Sequence, residues 1–268
     1  MTEATIDPDA FTSLLYVVDA GVATITLNRP ERRNALNRRA YDEIARALAV
    51  ASGDPAVRCV VVTGADPAFC SGEDVKETMT GEARPATAGK VHTATPAAMA
   101  AIDCIKPVIA AVNGAAVGWG MELAILADIR IASERAVFAE LFIKRGLIAD
   151  VGGLWRLPAL VGPAKAAELL FTGEAIDAAE ALRIGLVSAV TAHAGLMTAA
   201  MAMARKIAAN PPLALTAMKA GLRRATPGDP AQIGAWAIDT IHRLFETEDH
   251  REGVASFLEK RPPVFVGR

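Results

Sequence analysis

Pro107-Val108-Ile109-Ala110-Ala111-Val112 runs without a break into Asn113-Gly114-Ala115-Ala116-Val117-Gly118-Trp119-Gly120-Met121-Glu122. The first segment is apolar throughout, which predicts a strand buried on both faces. The second is glycine-rich, which predicts a tight turn, and Gly114 to Ala127 carries a short helix. The same pattern stands earlier in the chain. Val57 to Thr63 is a nearly continuous apolar run, and Ala68-Phe69-Cys70-Ser71-Gly72-Glu73-Asp74-Val75 follows it. Two buried strands that each end in a glycine turn predict an α/β fold with crossover connections.

The flanking sequence extends this frame. Val22 to Leu27 alternates apolar and polar residues, as a half-buried strand does, until Asn28-Arg29-Pro30-Glu31 breaks it. Leu36, Ala40, Ile44, Ala47 and Leu48 fall on one side of a helix predicted over Asn34 to Ala51, which Gly53-Asp54-Pro55 stops. Asp128 to Ala132 reads as a further strand, and Thr78 to Thr95, rich in Gly, Ala, Thr and Pro, as a surface loop near the site. After about residue 160 the strand signals fade. Helices are predicted over Pro163 to Phe171, Ala178 to Gly185, Ala194 to Ala209, Leu213 to Arg223, Ala231 to Thr247 and Arg251 to Lys260. The expected organisation is an α/β core over 1–200 and a C-terminal helical subdomain over 201–268, within one structural unit.

Composition removes several function classes. A net charge of −2, with 22% charged residues and 52% hydrophobic ones, argues against a general nucleic-acid binder. Cys59, Cys70 and Cys104 have no paired spacing and the four histidines are scattered, so neither a disulfide framework nor a metal site is expected. The N-terminus lacks a basic segment followed by an apolar one, and no apolar run approaches the ~20 residues of a membrane span. The expectation is a cytoplasmic protein.

The two glycine turns carry the chemistry. N–H groups in a helix's first turn have no internal partner and lie at its positive end. Two such turns side by side can aim N–H groups at one carbonyl oxygen. Either motif alone is most often only a turn.

Four segments together closely resemble the crotonase (enoyl-CoA hydratase/isomerase) family. They are Asn28-Arg29-Pro30-Glu31, Ala68 to Asp74, Lys106 to Gly114, and Gly118-Trp119-Gly120-Met121-Glu122-Leu123-Ala124 followed by Asp128-Ile129. The ending Arg251 to Arg261 matches as well, so the resemblance runs from about residue 14 to 265. It implies a crotonase-like fold of repeated ββα units with a C-terminal helical trimerisation subdomain, and a homotrimer or dimer of trimers. It implies an acyl-CoA thioester as substrate, with no cofactor besides the coenzyme A that the substrate carries, and no nucleic-acid or membrane partner.

The resemblance also implies roles for residues. The backbone N–H groups of Glu73 and Trp119 form an oxyanion hole for a thioester enolate, framed by Gly72, Asp74, Gly118 and Gly120. Glu122 matches one of the two catalytic glutamates of the hydratases. Phe142 falls where the second belongs, and a phenyl ring neither exchanges a proton nor holds a water. Glu140 lies two residues away and is not assigned that role by proximity. Ile148-Ala149-Asp150-Val151-Gly152-Gly153 resembles the dienoyl-CoA isomerases, in which an aspartate at the Asp150 position moves protons; capping the helix that starts near Gly152 is the competing reading. Phe257 and Lys260 match positions that contact the nucleotide part of coenzyme A, and Lys76 is a further candidate for a phosphate; a solvated surface charge is the competing reading for both lysines. The expected activity is acyl-CoA processing of the hydratase/isomerase type, with Glu122 and Asp150 as candidate proton carriers. A dienoyl-CoA isomerase-like enzyme and a homologue that binds acyl-CoA without turning it over are the alternatives.

Overall fold

The computed structural model describes residues 11–78, 93–266 and 268. The chain opens with strands β1 (Leu14–Asp19) and β2 (Val22–Leu27) and helix α1 (Arg38–Gly53). Strands β3 (Cys59–Gly64) and β4 (Ala68–Cys70) then precede α2 (Val75–Thr78) and α3 (Pro96–Asp103). Next come β5 (Val108–Val112), β6 (Ala115–Val117) and α4 (Trp119–Leu126), and after them β7 (Ile129–Ser133), β8 (Val137–Ala139) and a 3-10 helix, Leu141–Arg145. A strand–strand–helix unit thus repeats along the chain. In the later units the first strand enters one sheet and the second strand another.

The larger sheet has the order β1-β2-β3-β5-β7-β10, with β10 at Ala189–Thr191; the smaller has the order β4-β6-β8-β9, with β9 at Ile176–Asp177. Within the larger sheet only the β1–β2 pair is antiparallel, and in the smaller β4, β6 and β8 run parallel. Parallel pairing brings the C-terminal ends of β4, β6 and β8 to one edge of the molecule, and these ends build the site.

Burial explains the apolar strands. All six residues of β3 and all five of β5 are buried. Val60, Val62, Ala110 and Val112 join the main core with Ile44 and Leu48 of α1. Their neighbours Cys59, Val61, Ile109 and Ala111 face Leu196, Ala200, Ala204 and Ala208 on a later helix, α8 (Leu196–Ala208). Side chains alternate across a strand, so a strand covered on both faces is apolar at nearly every position, and the one hydroxyl here, on Thr63, donates to Ala111 O at 2.8 Å.

The tail is helical as predicted: α5 (Leu157–Val161), α6 (Pro163–Thr172), α7 (Ala178–Arg183), α8 (Leu196–Ala208), α9 (Pro212–Ala225), α10 (Pro230–Phe245) and α11 (Glu248–Glu259). β9 and β10 interrupt it, being too short to show a period. The expected division at 200/201 falls inside α8, the helix that covers the larger sheet. Most of the predicted loop, residues 79–92, lies outside the described residues.

Helix α1 starts later than predicted. Asn34 adopts a left-handed backbone (φ 56°), and its side chain takes the Arg29 N–H and donates to the carbonyls of Ala65 and Ala68. It pins the Asn28–Glu31 turn to the β3–β4 connection, a tertiary task, and Asn37 caps the helix through Ala40 N at 3.0 Å instead.

One close approach joins the smaller sheet to α4. A Cβ on Gly120 would sit 2.0 Å from the Cys70 carbonyl oxygen. Replacing Gly120 by Ala forces α4 off β4 and is expected to cost roughly 3 kcal/mol in urea-melt stability. Gly221 of α9 has nothing within 4 Å of a built Cβ, and Gly221→Ala is expected to stabilise by about 0.5–1 kcal/mol. Similar losses in both variants would contradict this packing.

Candidate functional site

Three consecutive strand ends supply the site: Ser71-Gly72-Glu73 after β4, Gly118-Trp119-Gly120 after β6, and Glu140 after β8. The first turn is stitched to the segment preceding α1. Leu36 N donates to Gly72 O, Asp74 N donates to Leu36 O, and Ser71 N donates to Arg33 O. The second turn is held by Gly118 N donating to Ala139 O at 2.8 Å. The two turns touch. Gly72 has φ 88°, and a Cβ on it would lie 2.6 Å from Val117 O and 3.4 Å from Trp119 N. Only glycine satisfies both the backbone angle and the contact.

This stitching leaves two donors unused. The bridge between Leu36 and Glu73 employs the groups either side of the Glu73 N–H. Trp119 opens α4, so its N–H has no acceptor within the helix. Among the described residues neither N–H donates to a protein acceptor. Asp74, expected at the substrate, has its carboxylate engaged by Arg29 at 3.2 Å, which holds the turn from behind.

Beside these donors lie three buried carboxyl groups. Glu122 is 0% exposed, Glu140 1% and Asp150 2%, so none has bulk water to stabilise a charge. Glu122 Oε1 accepts from Asp150 N and Gly153 N, both at 3.0 Å. It therefore caps the π-helical turn Gly152–Arg156, which leads into α5, from across the fold. Glu122 Oε2 has no hydrogen-bond partner among the described residues. Asp150 is held more completely: Oδ1 accepts from Val151 N at 2.7 Å, and Oδ2 accepts from Thr95 Oγ1 at 2.5 Å and Trp119 Nε1 at 3.2 Å. Glu140 has no partner on either oxygen among the described residues.

The proton affinities follow these surroundings. Burial holds Glu122 well above the ordinary carboxylate range, and the charges of Glu140 and Asp150 add to the effect. Burial, with Asp150 beside it, pushes Glu140 up to about 8. Burial also raises Asp150, opposed by its hydrogen bonds from Thr95, Val151 and Trp119. A neutral carboxyl beside a carboxylate better supplied with hydrogen-bond donors is a usual arrangement for proton transfer.

The structure places Glu73, Trp119, Glu122 and Asp150 together, with Glu140 and Thr95 beside them and Tyr41, whose hydroxyl donates to Glu73 Oε2, behind the first turn. Glu140, not assigned a role from its place in the sequence, lies in the electrostatic field of both Glu122 and Asp150. Its signal was a carboxylate at the end of a strand in a repeating unit, and β8 is too short to reveal that. Phe142 is half-buried on the 3-10 helix and packs toward Leu147, Ile241 and Phe245, joining the core to α10. The helix-capping alternative for Asp150 is not met: its Oδ1 accepts only from the adjacent Val151 N, and the Gly153 N–H that a cap would take goes to Glu122.

Lys76, Lys144, Arg145, Phe257, Lys260 and Arg261 line one groove between the first turn, the 3-10 helix and α11. The Arg145 guanidinium stands 4.1 Å over the Phe257 ring. Phe257 and Lys260, the two positions matched to the nucleotide part of coenzyme A, and the phosphate candidate Lys76 therefore converge within one chain. Among the described residues no His, Cys, Asp and Glu cluster can hold a metal ion, and no helix is long and apolar enough to cross a membrane.

The family model for enoyl-CoA hydratase/isomerase matches residues 18–268. The chain belongs to this family. A probable enoyl-CoA hydratase of Rhodobacter capsulatus is 38% identical, over 97% of this chain and 100% of that protein. The 1,2-epoxyphenylacetyl-CoA isomerase of Escherichia coli is 35% identical, over 95% and 98% respectively. An enoyl-CoA hydratase/isomerase structure from Pseudoalteromonas atlantica superimposes with a TM-score of 0.86 at 29% identity, covering 95% of this chain and 100% of that one. The chain is accordingly an enzyme of the enoyl-CoA hydratase/isomerase family with the crotonase fold.

Glu140 has a measurable consequence in this family member. Its proton affinity is raised on folding, so the folded state binds more protons than the unfolded one between the ordinary value of 4.5 and about 8. Its contribution to stability is complete below about 4.5 and is lost as pH rises through about 8. Glu140→Gln is expected to flatten stability against pH between about 5 and 9, gaining on the order of 3 kcal/mol over wild type at pH 8 and little at pH 5. Melts across that range check this; parallel curves would place Glu140 outside the buried cluster.

Proposed function

We propose that this family member isomerises an acyl-CoA by moving a double bond along the acyl chain. The thioester oxygen sits between the Glu73 and Trp119 N–H groups, which stabilise the enolate; losing one such donor costs ~2.7–4 kcal/mol of transition-state stabilisation. Asp150 is the base. It removes a proton from the carbon next to the thioester carbonyl, and the electron pair delocalises onto the oxygen. Glu122, neutral at its unpartnered Oε2, delivers a proton two carbons further along. The proton on Asp150 then returns to Glu122, so no group is consumed and no cofactor beyond coenzyme A is required.

The observation that carries this reading is the contrast between Asp150 and Glu122. Asp150 receives three hydrogen bonds that favour its charge, while Glu122 keeps one buried oxygen with no partner among the described residues. Phe142 in place of an acid supports isomerisation over hydration, which needs two groups to orient and activate a water. Hydration is the second reading, because Glu140 supplies Glu122 with a carboxyl neighbour. The groove containing Lys76, Phe257 and Lys260 supports binding of the coenzyme A nucleotide. Exposed Leu213, Met218, Leu222 and Trp236 on α9 and α10 support assembly as a trimer or a dimer of trimers. The buried, unpaired cysteines support a cytoplasmic setting.

The test is a pair of assays, Δ3-enoyl-CoA isomerisation and crotonyl-CoA hydration, on wild type, Asp150→Asn, Glu122→Gln and Glu140→Gln. Isomerisation is expected to dominate, with Asp150→Asn lowering kcat about 10²–10⁴-fold while KM changes little. Hydration that survives Asp150→Asn and disappears in Glu122→Gln and Glu140→Gln would establish the second reading. Tight acyl-CoA binding without turnover in either assay would show a binding protein.

A further inference from the structure

Trp119 presents two N–H groups to the site. Its backbone N–H is one of the two unused donors, and its indole Nε1 donates to Asp150 Oδ2 at 3.2 Å. The other described buried indole, Trp155, has its Nε1 engaged by Pro227 O at 2.9 Å and donates to none of the carboxyl groups. The Trp119 ring is fixed from the opposite side. Tyr41 meets it edge-on, with centroids 4.8 Å apart and planes at 80°, and the Tyr41 hydroxyl donates to Glu73 Oε2 at 2.5 Å. A continuous chain of contacts therefore runs from the first turn through Glu73, Tyr41 and Trp119 to Asp150, where Thr95 closes it from the start of α3.

We propose that the Trp119 indole is a positioning residue for Asp150, fixing Oδ2 so that Oδ1 is the oxygen that exchanges the proton and keeping the carboxylate ionised in acidic surroundings. The geometry assigns the two oxygens different tasks. Oδ2 takes two side-chain donors, Thr95 and Trp119, whereas Oδ1 takes only Val151 N and retains an open lone pair. The groups facing Asp150 are Glu122 from α4, Glu140 from the end of β8, Glu73 from the first turn and Tyr41 from α1, all acids. No cation among the described residues is paired with Asp150, so hydrogen-bond donors alone offset that repulsion. Residue 119 thus couples enolate stabilisation, through its backbone, to the protonation state of the base, through its side chain.

The kinetic part of this inference rests on the isomerase reading; the titration part does not. The full-length protein, ¹⁵N-labelled on its three tryptophan indoles, is titrated as wild type, Asp150→Asn and Trp119→Phe. One indole resonance, absent in Trp119→Phe, is expected to move with pH in wild type and to lose that movement in Asp150→Asn. In kinetics, Trp119→Phe keeps the backbone donor and the aromatic contact with Tyr41, so KM for the acyl-CoA changes little. The ascending limb of kcat/KM against pH should shift upward by about one pH unit, a roughly tenfold loss below the midpoint that is recovered above it. Thr95→Val should shift the limb in the same direction, and Thr95→Ser should restore it. A loss that is equal at every pH, an unmoved midpoint, or a Trp119 indole that titrates identically without Asp150 overturns the assignment. If the enzyme accepts neither substrate, the isomerase reading falls and the indole titration alone decides this one. Should Trp119→Phe fail to fold, the Thr95 pair and the Asp150→Asn titration decide it.

Discussion

Glu122, Glu140 and Asp150 are buried together, and among the described residues no cation is paired with any of them. Three negative charges cannot persist in that volume, because burial removes the water that would stabilise them and each opposes the others. The cluster must retain protons at neutral pH. Which group holds them is set by hydrogen bonds: three to Asp150, two to one oxygen of Glu122, and none to Glu140 among the described residues. The acid–base character of the site is therefore a consequence of donor placement, and the residue types alone do not determine it.

Holding such a cluster costs stability, and the scaffold around it offsets that cost. The central strands β3 and β5 of the larger sheet are buried on both faces, covered by α1 on one side and the alanine row of α8 on the other. The smaller sheet is packed so closely that Gly120 lies directly on the Cys70 carbonyl and Gly72 on the Val117 carbonyl. These contacts leave the turns no alternative position, so the Glu73 and Trp119 N–H groups are held side by side without a protein acceptor among the described residues. In the function proposed above, donors fixed in this way need no rearrangement as charge develops. The groove containing Lys76, Phe257 and Lys260 lies on α11, which docks through His250 Nδ1 to Arg145 O at 2.8 Å on the 3-10 helix following Glu140.

Much of the frame was legible because its signals are local. The continuous apolar runs of β3 and β5, the alternation of β2 and the amphipathic pattern of α1 each reflect burial geometry within a few residues. The glycine turns were legible from their place directly after buried strands, whereas Glu122 and Asp150 stood out only through the resemblance to the family. The short strands β4, β6, β8, β9 and β10 were not, since three or fewer residues show no period, and their stability comes from pairing with distant neighbours. Asn34 illustrates the same limit: its local preference suits a helix start, yet two long-range hydrogen bonds, to Ala65 and Ala68, and one from Arg29 claim its side chain. Glu140 was passed over for a related reason, because its place at the third parallel strand end is visible only once β4, β6 and β8 lie side by side.

The sequence by itself determined the class of fold, the family, the two glycine turns and the presence of ionisable groups beside them. These depend on chemistry carried by neighbouring residues. Tertiary structure alone decided that Glu122 caps a distant π-helical turn, that Trp119 and Thr95 bind one oxygen of Asp150, and that Glu140 joins the cluster. The physical reason is that a carboxyl group's charge depends on donors, burial and other charges converging from separate elements. No local pattern records that convergence, and the glycine turns first read as anchors for an oxygen are also what bring those elements within reach of one another.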